Sequence, residues 1–262
     1  MDGRRHIEEK IAELVATDPR NALPENPDVR IYDAPLLGVA AADDGCFIEF
    51  QKPEIVGAHF MLPEGWLPGA KSVISYFLPF TKEIRKSNRG PGMPSAEWIA
   101  ARIDGETFNG VVRAYLVELI RALGAQAVSP GLDPRHKVED RVSNWSERHV
   151  AYAAGLGTFG LHRALITQKG SAGRFGSVIT TLPLAPTRRA YTSYYEYCLY
   201  LTRGTCGACM KRCPPHAITR AGKDHSVCND YLAEILPQYA PRSACAKCNC
   251  GVPCEERIPA IK

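Results

Sequence analysis

Cys206-Gly207-Ala208-Cys209-Met210-Lys211-Arg212-Cys213-Pro214 is the stretch on which the fold of this chain turns. Its cysteines are spaced Cys-x2-Cys-x3-Cys, and a proline follows the last of them. Cys198 lies upstream, Cys228 stands alone downstream, and Cys245-x2-Cys248-x-Cys250-x3-Cys254 closes the series. Nine of the ten cysteines therefore fall within the last 65 of 262 residues. No apolar segment of the secretory kind follows Arg4-Arg5, so the cysteines read as metal ligands in a reducing compartment, not as disulfides.

The spacing narrows the metal. Cys-x2-Cys-x3-Cys-Pro is the second half of the run that holds 4Fe–4S clusters in bacterial ferredoxins, where the cysteine before proline ligates the second cluster. Pro214 lacks an N–H and has a fixed φ, which stops the loop from continuing as helix. Two clusters require eight thiolates, and nine are present. Arg203 stands where the first cysteine of the run belongs, a vacancy filled by Cys198 or else by Cys250. With Cys198, the expected sets are Cys198, Cys206, Cys209 and Cys254, and Cys213, Cys228, Cys245 and Cys248. Zinc is the competing reading, because both Cys-x2-Cys pairs suit a zinc ribbon. Zinc gives no reason for Cys-x3-Cys-Pro. Cys46, in Gly45-Cys46-Phe47-Ile48, reads as a core residue.

The net charge of +4 has a location. From residue 198 onward nine Lys/Arg face five Asp/Glu, and the first 197 residues balance at 23 against 23. Two oxidised clusters, each about −2, would absorb that excess, which argues against a nucleic-acid patch. Binding of tRNA is accordingly not expected. There is no run of about 18 apolar residues, so no membrane span is expected, and the chain reads as cytoplasmic.

Hydrophobic periodicity supplies the framework. Ile7, Ile11, Leu14 and Val15 share one face of a helix over residues 5–17, which Asp18-Pro19 ends. Extended segments are expected near 35–42 and 46–50, and the β-branched, aromatic run at 71–80 is a core strand. Residues 87–94 form a loop. A long helix then reaches Leu123, with a break near Gly105 and a cap at Gly124. A short strand at 125–129, a helix from Ser146 to Ala154 stopped by Gly155, and strands near 164–168 and 174–183 complete an α/β layer. A tyrosine-rich bridge at 191–200 leads into the cysteines. The division expected is an α/β domain over 1–190 and a cluster domain over 191–262.

Ala151–Gly160 reads AYAAGLGTFG, with Gly155, Gly157 and Gly160 in a Gly-x-Gly-x-x-Gly pattern. A helix precedes these glycines where a dinucleotide fingerprint has a strand, so they suit close backbone approach to a large flat ligand instead. With Leu67-Pro68-Gly69-Ala70-Lys71-Ser72-Val73-Ile74, Glu147-Arg148, Ala154-Gly155-Leu156-Gly157, Leu182-Pro183-Leu184 and the cysteine run, in that order, the chain resembles the epoxyqueuosine reductase family. That family is related to the reductive dehalogenases.

The resemblance implies an α/β (α+β) nitroreductase-like domain holding base-off cobalamin and a C-terminal two-cluster ferredoxin-like domain. It places the catalytic carboxylate near Asp140 and Arg141, and Gly155, Gly157 and Gly160 beside the corrin. It also implies an external electron donor of ferredoxin or flavodoxin type and a small-molecule substrate. The helical-repeat extension with which the family grips tRNA is not among these 262 residues. Two other functions fit the same residues: a non-catalytic electron carrier that reduces a partner corrinoid protein, and a zinc-binding interaction module.

Overall fold

The computed structural model describes residues 3–139 and 142–260, so the catalytic candidates Asp140 and Arg141 lie outside the described residues. At its centre is a four-stranded sheet of β1 (Leu36–Ala41), β2 (Ser72–Pro79), β3 (Ala127–Val128) and β6 (Gly173–Thr180), in the order β1-β2-β6-β3. Every strand pairing among the described residues is antiparallel. All eight residues of β2 are buried, because helices cover both faces of the sheet. Val39 opposes Ile74 and Ile74 opposes Val178, so alternate residues supply two separate cores.

On one face Ile74, Tyr76 and Leu78 meet α1 (Gly3–Thr17) through Ile7, Ile11 and Val15, and the long helix α4 (Ala96–Ala122) through Phe108, Val112 and Leu116. On the other face Val73, Phe77 and Ile179 meet α2 (Gly45–Glu49) and α5 (Glu147–Ala153), with Phe60, Trp66 and Trp145 filling the layer. After β6 the chain runs back beside β1, where the Thr187 N–H donates to the Val39 carbonyl at 2.8 Å.

Two expectations are corrected here. Residues 46–50 are not extended: Asp44 accepts from the Cys46 N–H and starts α2, which tucks Phe47 into the core. A short apolar run carries no period to distinguish the two states. Nor does Gly105 break α4, which runs unbroken for 27 residues. Its missing Cβ admits the Tyr32 hydroxyl, which would lie 2.5 Å from it.

The hairpin of β4 (Gly157–Phe159) and β5 (Leu165–Thr167) joins the sheet layers to the cysteine-rich segment. Its Leu161 and Ile166 pack with Cys198, Cys209, Cys213, Ile218 and Val252 in one cluster. That segment carries α6 (Leu199–Arg203), α7 (Ala208–Arg212) and α8 (His225–Tyr239). No helix among the described residues is long and apolar enough to cross a membrane.

The β4–β5 contact is tight enough to test. A Cβ on Gly157 would lie 2.0 Å from the Ile166 carbonyl oxygen, whereas one on Gly45 meets nothing within 4 Å. Gly157→Ala should cost about 1–3 kcal/mol in denaturant unfolding of the anaerobically purified chain, with Gly45→Ala as a near-neutral control. Equal stability of the two variants would refute this packing.

Candidate metal centres and the adjoining slot

Eight cysteines line two separate cavities, four to each. Cys198, Cys206, Cys209 and Cys254 surround one, with Leu161, Ile166, Tyr200 and Val252. Cys213, Cys228, Cys245 and Cys248 surround the other, with Pro214, Ile218 and Tyr231. Each is assembled from distant segments: the α6 and α7 loops supply three thiols of the first, and the chain near residue 254 returns to supply the fourth. Ser171 N–H, donating to the Cys254 carbonyl at 2.9 Å, holds that return against the segment before β6.

Burial is the dominant influence on the thiols. It pushes Cys209 up to about 11, with Cys198 and Cys206 adding to the rise. It pushes Cys254 up to about 12, reinforced by Cys209, Cys198 and Cys206. Cys248 is likewise pushed up to about 12, opposed by Lys223 and reinforced by Cys245, Cys213 and Cys228. Each thiol thus feels the other members of its own set. Held neutral, they must release protons when a metal binds.

The ninth thiol is elsewhere. Cys250 is buried in the core of the sheet layer, lines neither cavity, and receives the Asn88 side-chain amide at 3.6 Å. Cys46 is partly buried beside Asp44, and burial raises it to about 12.

Backbone strain gathers at the same place. Among the described residues Arg163, Cys206, His216 and Ala246 are the non-glycines with left-handed φ, at 66°, 128°, 53° and 50°. Three of these lie in cysteine loops and the fourth follows His162. Strained positions of this kind persist where a site over-determines them.

The two cavities differ in charge and size. The second, about 230 Å³, is lined by Arg102, Arg148, Arg174 and Lys223. Burial and the neighbouring Arg174 lower Arg102 to about 9; the Nε of Arg102 has no hydrogen-bond partner, and that of Arg174 pairs with Glu106 Oε2 at 3.4 Å. The first, about 20 Å³, has no acidic or basic lining residue besides His162, and Cys206 stands exposed at its edge. His162 lines both. Burial lowers it to about 3, so its imidazole is neutral.

A third cavity, about 700 Å³, lies alongside. Ile55, Val56, Phe159, Tyr194 and Tyr195 give it apolar and aromatic walls, and Arg163, His225 and Asn229 add polar groups. Val142 and Ser143, which follow Arg141 in the chain, also line it. Arg148 belongs to this slot and to the second cysteine cavity alike. It donates to the Arg163 carbonyl at 2.6 Å; burial, aided by the Arg163 charge, lowers its pKa. His149 packs its ring 4.7 Å from Phe159 while lining the slot, and its Nδ1 meets Ser146 Oγ at 2.7 Å. Burial lowers it to about 3.

The glycine expectation is corrected. Gly155, at φ 81°, closes α5: its N–H donates to the Tyr152 carbonyl and that of Leu156 to Ala151, a Schellman stop. Cβ atoms at Gly155, Gly157 and Gly160 would meet Thr187, Ile166 and His162, at 2.9, 2.0 and 2.7 Å. The close approach is to the protein's own atoms, so these glycines form no open wall. The slot is bounded instead by Phe159 between them. Of the bridge tyrosines, Tyr194 and Tyr195 face the slot, while Tyr191 packs behind and donates to the Tyr152 carbonyl at 2.6 Å.

Sequence reading missed Arg102, Arg174 and His162. The arginines come from α4 and β6, far from any cysteine in sequence, and no local pattern marks them. His162 had one signal, its position two residues after Gly160. For zinc, four sulfurs about 3.8 Å apart are needed around bonds of about 2.3 Å. No group of three or more described His, Cys, Asp or Glu side chains is arranged to hold a single metal ion.

No protein-family model matches the chain. An epoxyqueuosine reductase of Bacillus cereus is 27% identical over 194 residues, covering 67% of this chain and 44% of that protein. One of Leadbetterella byssophila is 28% identical over 225 residues, covering 78% and 66%. The chain thus spans less than two thirds of the length of these relatives. A solved epoxyqueuosine reductase with a tRNA-Tyr epoxyqueuosine-modified stem loop is 17% identical, with TM-score 0.52 over 88% of this chain and 58% of that one, a likeness of fold. The expectation against tRNA gains no support from these relatives.

The two cavities set eight cysteines apart from Cys250. Cys209→Ser should lower iron per chain by about half after anaerobic reconstitution, while Cys250→Ala should leave it unchanged. Equal loss in both variants would contradict the division into two sets of four.

Proposed function

We propose that the chain is an epoxyqueuosine reductase-like iron–sulfur reductase whose two cysteine sets feed electrons to a corrinoid in the adjoining slot. The observation that carries this reading is the shared wall: Arg148 lines both the second cysteine cavity and the slot of about 700 Å³. The fit of the groups rests on the donor sets. Four thiols around each cavity match what a 4Fe–4S cluster requires. The second cavity has room at about 230 Å³, whereas the first, at about 20 Å³, would need the strained, exposed Cys206 loop to open. The slot has the size and aromatic lining of a site for a large flat ligand.

When bound, the clusters supply one-electron transfer and the corrinoid a strongly reducing metal centre. The chain's own groups set the conditions. Arg102, Arg174 and Lys223 offset negative charge at the second cysteine set. Phe159, Tyr194 and Tyr195 offer apolar faces. His149, neutral and bonded to Ser146, adds no charge. Arg148 and Arg163 favour an anionic substrate in the slot. Asp140 and Arg141, next in sequence to the slot residues Val142 and Ser143, are the proposed groups for proton and charge management.

The substrate is proposed to be an electrophile that reaches into this slot. The stem loop named for the solved relative is to be tried beside small compounds, because the cationic lining suits phosphates as well as small anions.

Anaerobically reconstituted chain should carry about eight iron. It should also shift added cob(II)alamin to the base-off form, seen as loss of the axial nitrogen splitting in EPR. Four iron at full occupancy would sink the two-centre reading, and stoichiometric zinc would sink both. Eight iron with an unchanged cobalamin spectrum would leave an electron carrier. Conversion of an epoxyqueuosine stem loop, followed by mass spectrometry, decides the tRNA question.

A further inference from the structure

His162 stands in the wall between the two cysteine cavities and lines both. It is 3% exposed, and nothing in the function above uses it. Its tautomer follows from its hydrogen bonds. Nδ1 accepts the backbone N–H of Ala164 at 3.0 Å, which in a neutral imidazole leaves the proton on Nε2. Nε2 lies 3.3 Å from the Sγ of Cys254. The ring therefore points an N–H at the sulfur that closes the first cysteine set.

The turn that presents the ring is built for it. The Arg163 N–H donates to the Gly160 carbonyl at 2.8 Å, and the Gly160 N–H to the Ala164 carbonyl at 2.9 Å. Arg163 takes a left-handed φ of 66° within this loop. A Cβ on Gly160 would lie 2.7 Å from His162 Cε1, so only glycine leaves the imidazole where it is. The last glycine of the Gly-x-Gly-x-x-Gly pattern thereby acquires a use, as the seat of a histidine.

We propose that His162 is a positioning residue that donates Nε2–H to the Cys254 thiolate and selectively raises the reduction potential of the centre held by Cys198, Cys206, Cys209 and Cys254. The inference rests on the two-centre reading. A hydrogen bond to a ligating sulfur stabilises the more negative, reduced cluster, and removing it lowers the potential. One electron enters the centre from the reductant, no bond is broken, and the proton stays on the imidazole. The second cysteine set receives no such bond from His162, so its potential is set independently by its arginines and Lys223.

The test is an anaerobic potentiometric titration of the whole reconstituted chain, followed by EPR, with iron measured on each sample. In His162→Leu one midpoint potential should fall and the other should stay. His162→Gln, which keeps an N–H donor, should recover much of the shift. Gly160→Ala should shift the same midpoint in the same direction, because it displaces the ring without removing it. Eight iron with both midpoints unmoved in His162→Leu would overturn the proposal and leave the two-centre reading standing. Four iron in the unaltered chain would defeat that reading itself.

A measurement on the unaltered sequence covers the case in which His162→Leu fails to assemble. Histidine labelled with 15N only in the ring should give a weak nitrogen coupling on one reduced centre in pulsed EPR. Absence of that coupling would overturn the proposal.

Discussion

The geometry of both cysteine sets depends on one guanidinium. Arg212, inside the Cys209-x3-Cys213 run, donates to the carbonyls of Asn88, Arg89 and Cys250 at 3.0, 2.9 and 3.0 Å. Lys247 adds its ammonium to the Gly90 carbonyl at 2.9 Å, and the Asn88 amide returns a bond to the Cys245 carbonyl at 3.1 Å. Arg89 and Glu255 form a two-point pair nearby, at 3.2 and 2.6 Å. Charge-assisted bonds to fixed carbonyls are stronger than neutral ones and leave little angular freedom. The loop after α3 (Lys82–Ser87) is thus gripped by both cysteine runs at once. It locks the sets to the sheet layers and so to the slot. Cys250 belongs to this grip, which accounts for a ninth thiol, itself buried, that lines neither cavity.

Charge divides the two sets. Buried anions need nearby cations, and the second cavity draws Arg102 from α4, Arg174 from β6, Arg148 from α5 and Lys223 from the cysteine-rich segment. The first cavity offers one neutral imidazole and an exposed cysteine. The exposed Cys206 marks the outer side, and the slot shares a residue only with the cationic side. On the proposed function this orders the route inward, from the Cys206 edge to the wall at Arg148. On the same reading the cations would favour the reduced state of a centre held at the inner set.

Much of this was legible in the chain itself. The helix around Ile7, Ile11 and Val15, the fully buried strand at 72–79 and the stops at Gly124 and Gly155 follow from period and cap chemistry, which are local. The long helix was legible too, but its supposed break was not, since what tolerates Gly105 is Tyr32, brought there by tertiary packing. The spacing led to two expected sets of four, with Cys198 or Cys250 left open for one place. Two cavities are each lined by four cysteines, Cys198 among them. The cations around the second set were not legible, for a reason of arithmetic: balanced charge over the first 197 residues hides where Arg102, Arg148 and Arg174 converge. Counting charges along a chain reports composition, and only the fold reports proximity.

The glycine pattern shows the same limit from the other side. A motif of three glycines invites one explanation, a ligand that needs a bare backbone. Here the bareness serves three unrelated contacts: Gly155 ends a helix against Thr187, Gly157 admits the Ile166 carbonyl, and Gly160 admits the His162 ring. Each contact fixes a different coordinate of the same short segment, its exit from α5, its pairing in the hairpin, and the direction of its turn. Together they leave Phe159 facing the slot and His162 facing the sulfur of Cys254, three residues apart. A Cβ at any of the three points would meet a neighbouring atom within 3 Å. Close packing of the protein on itself is what these glycines allow.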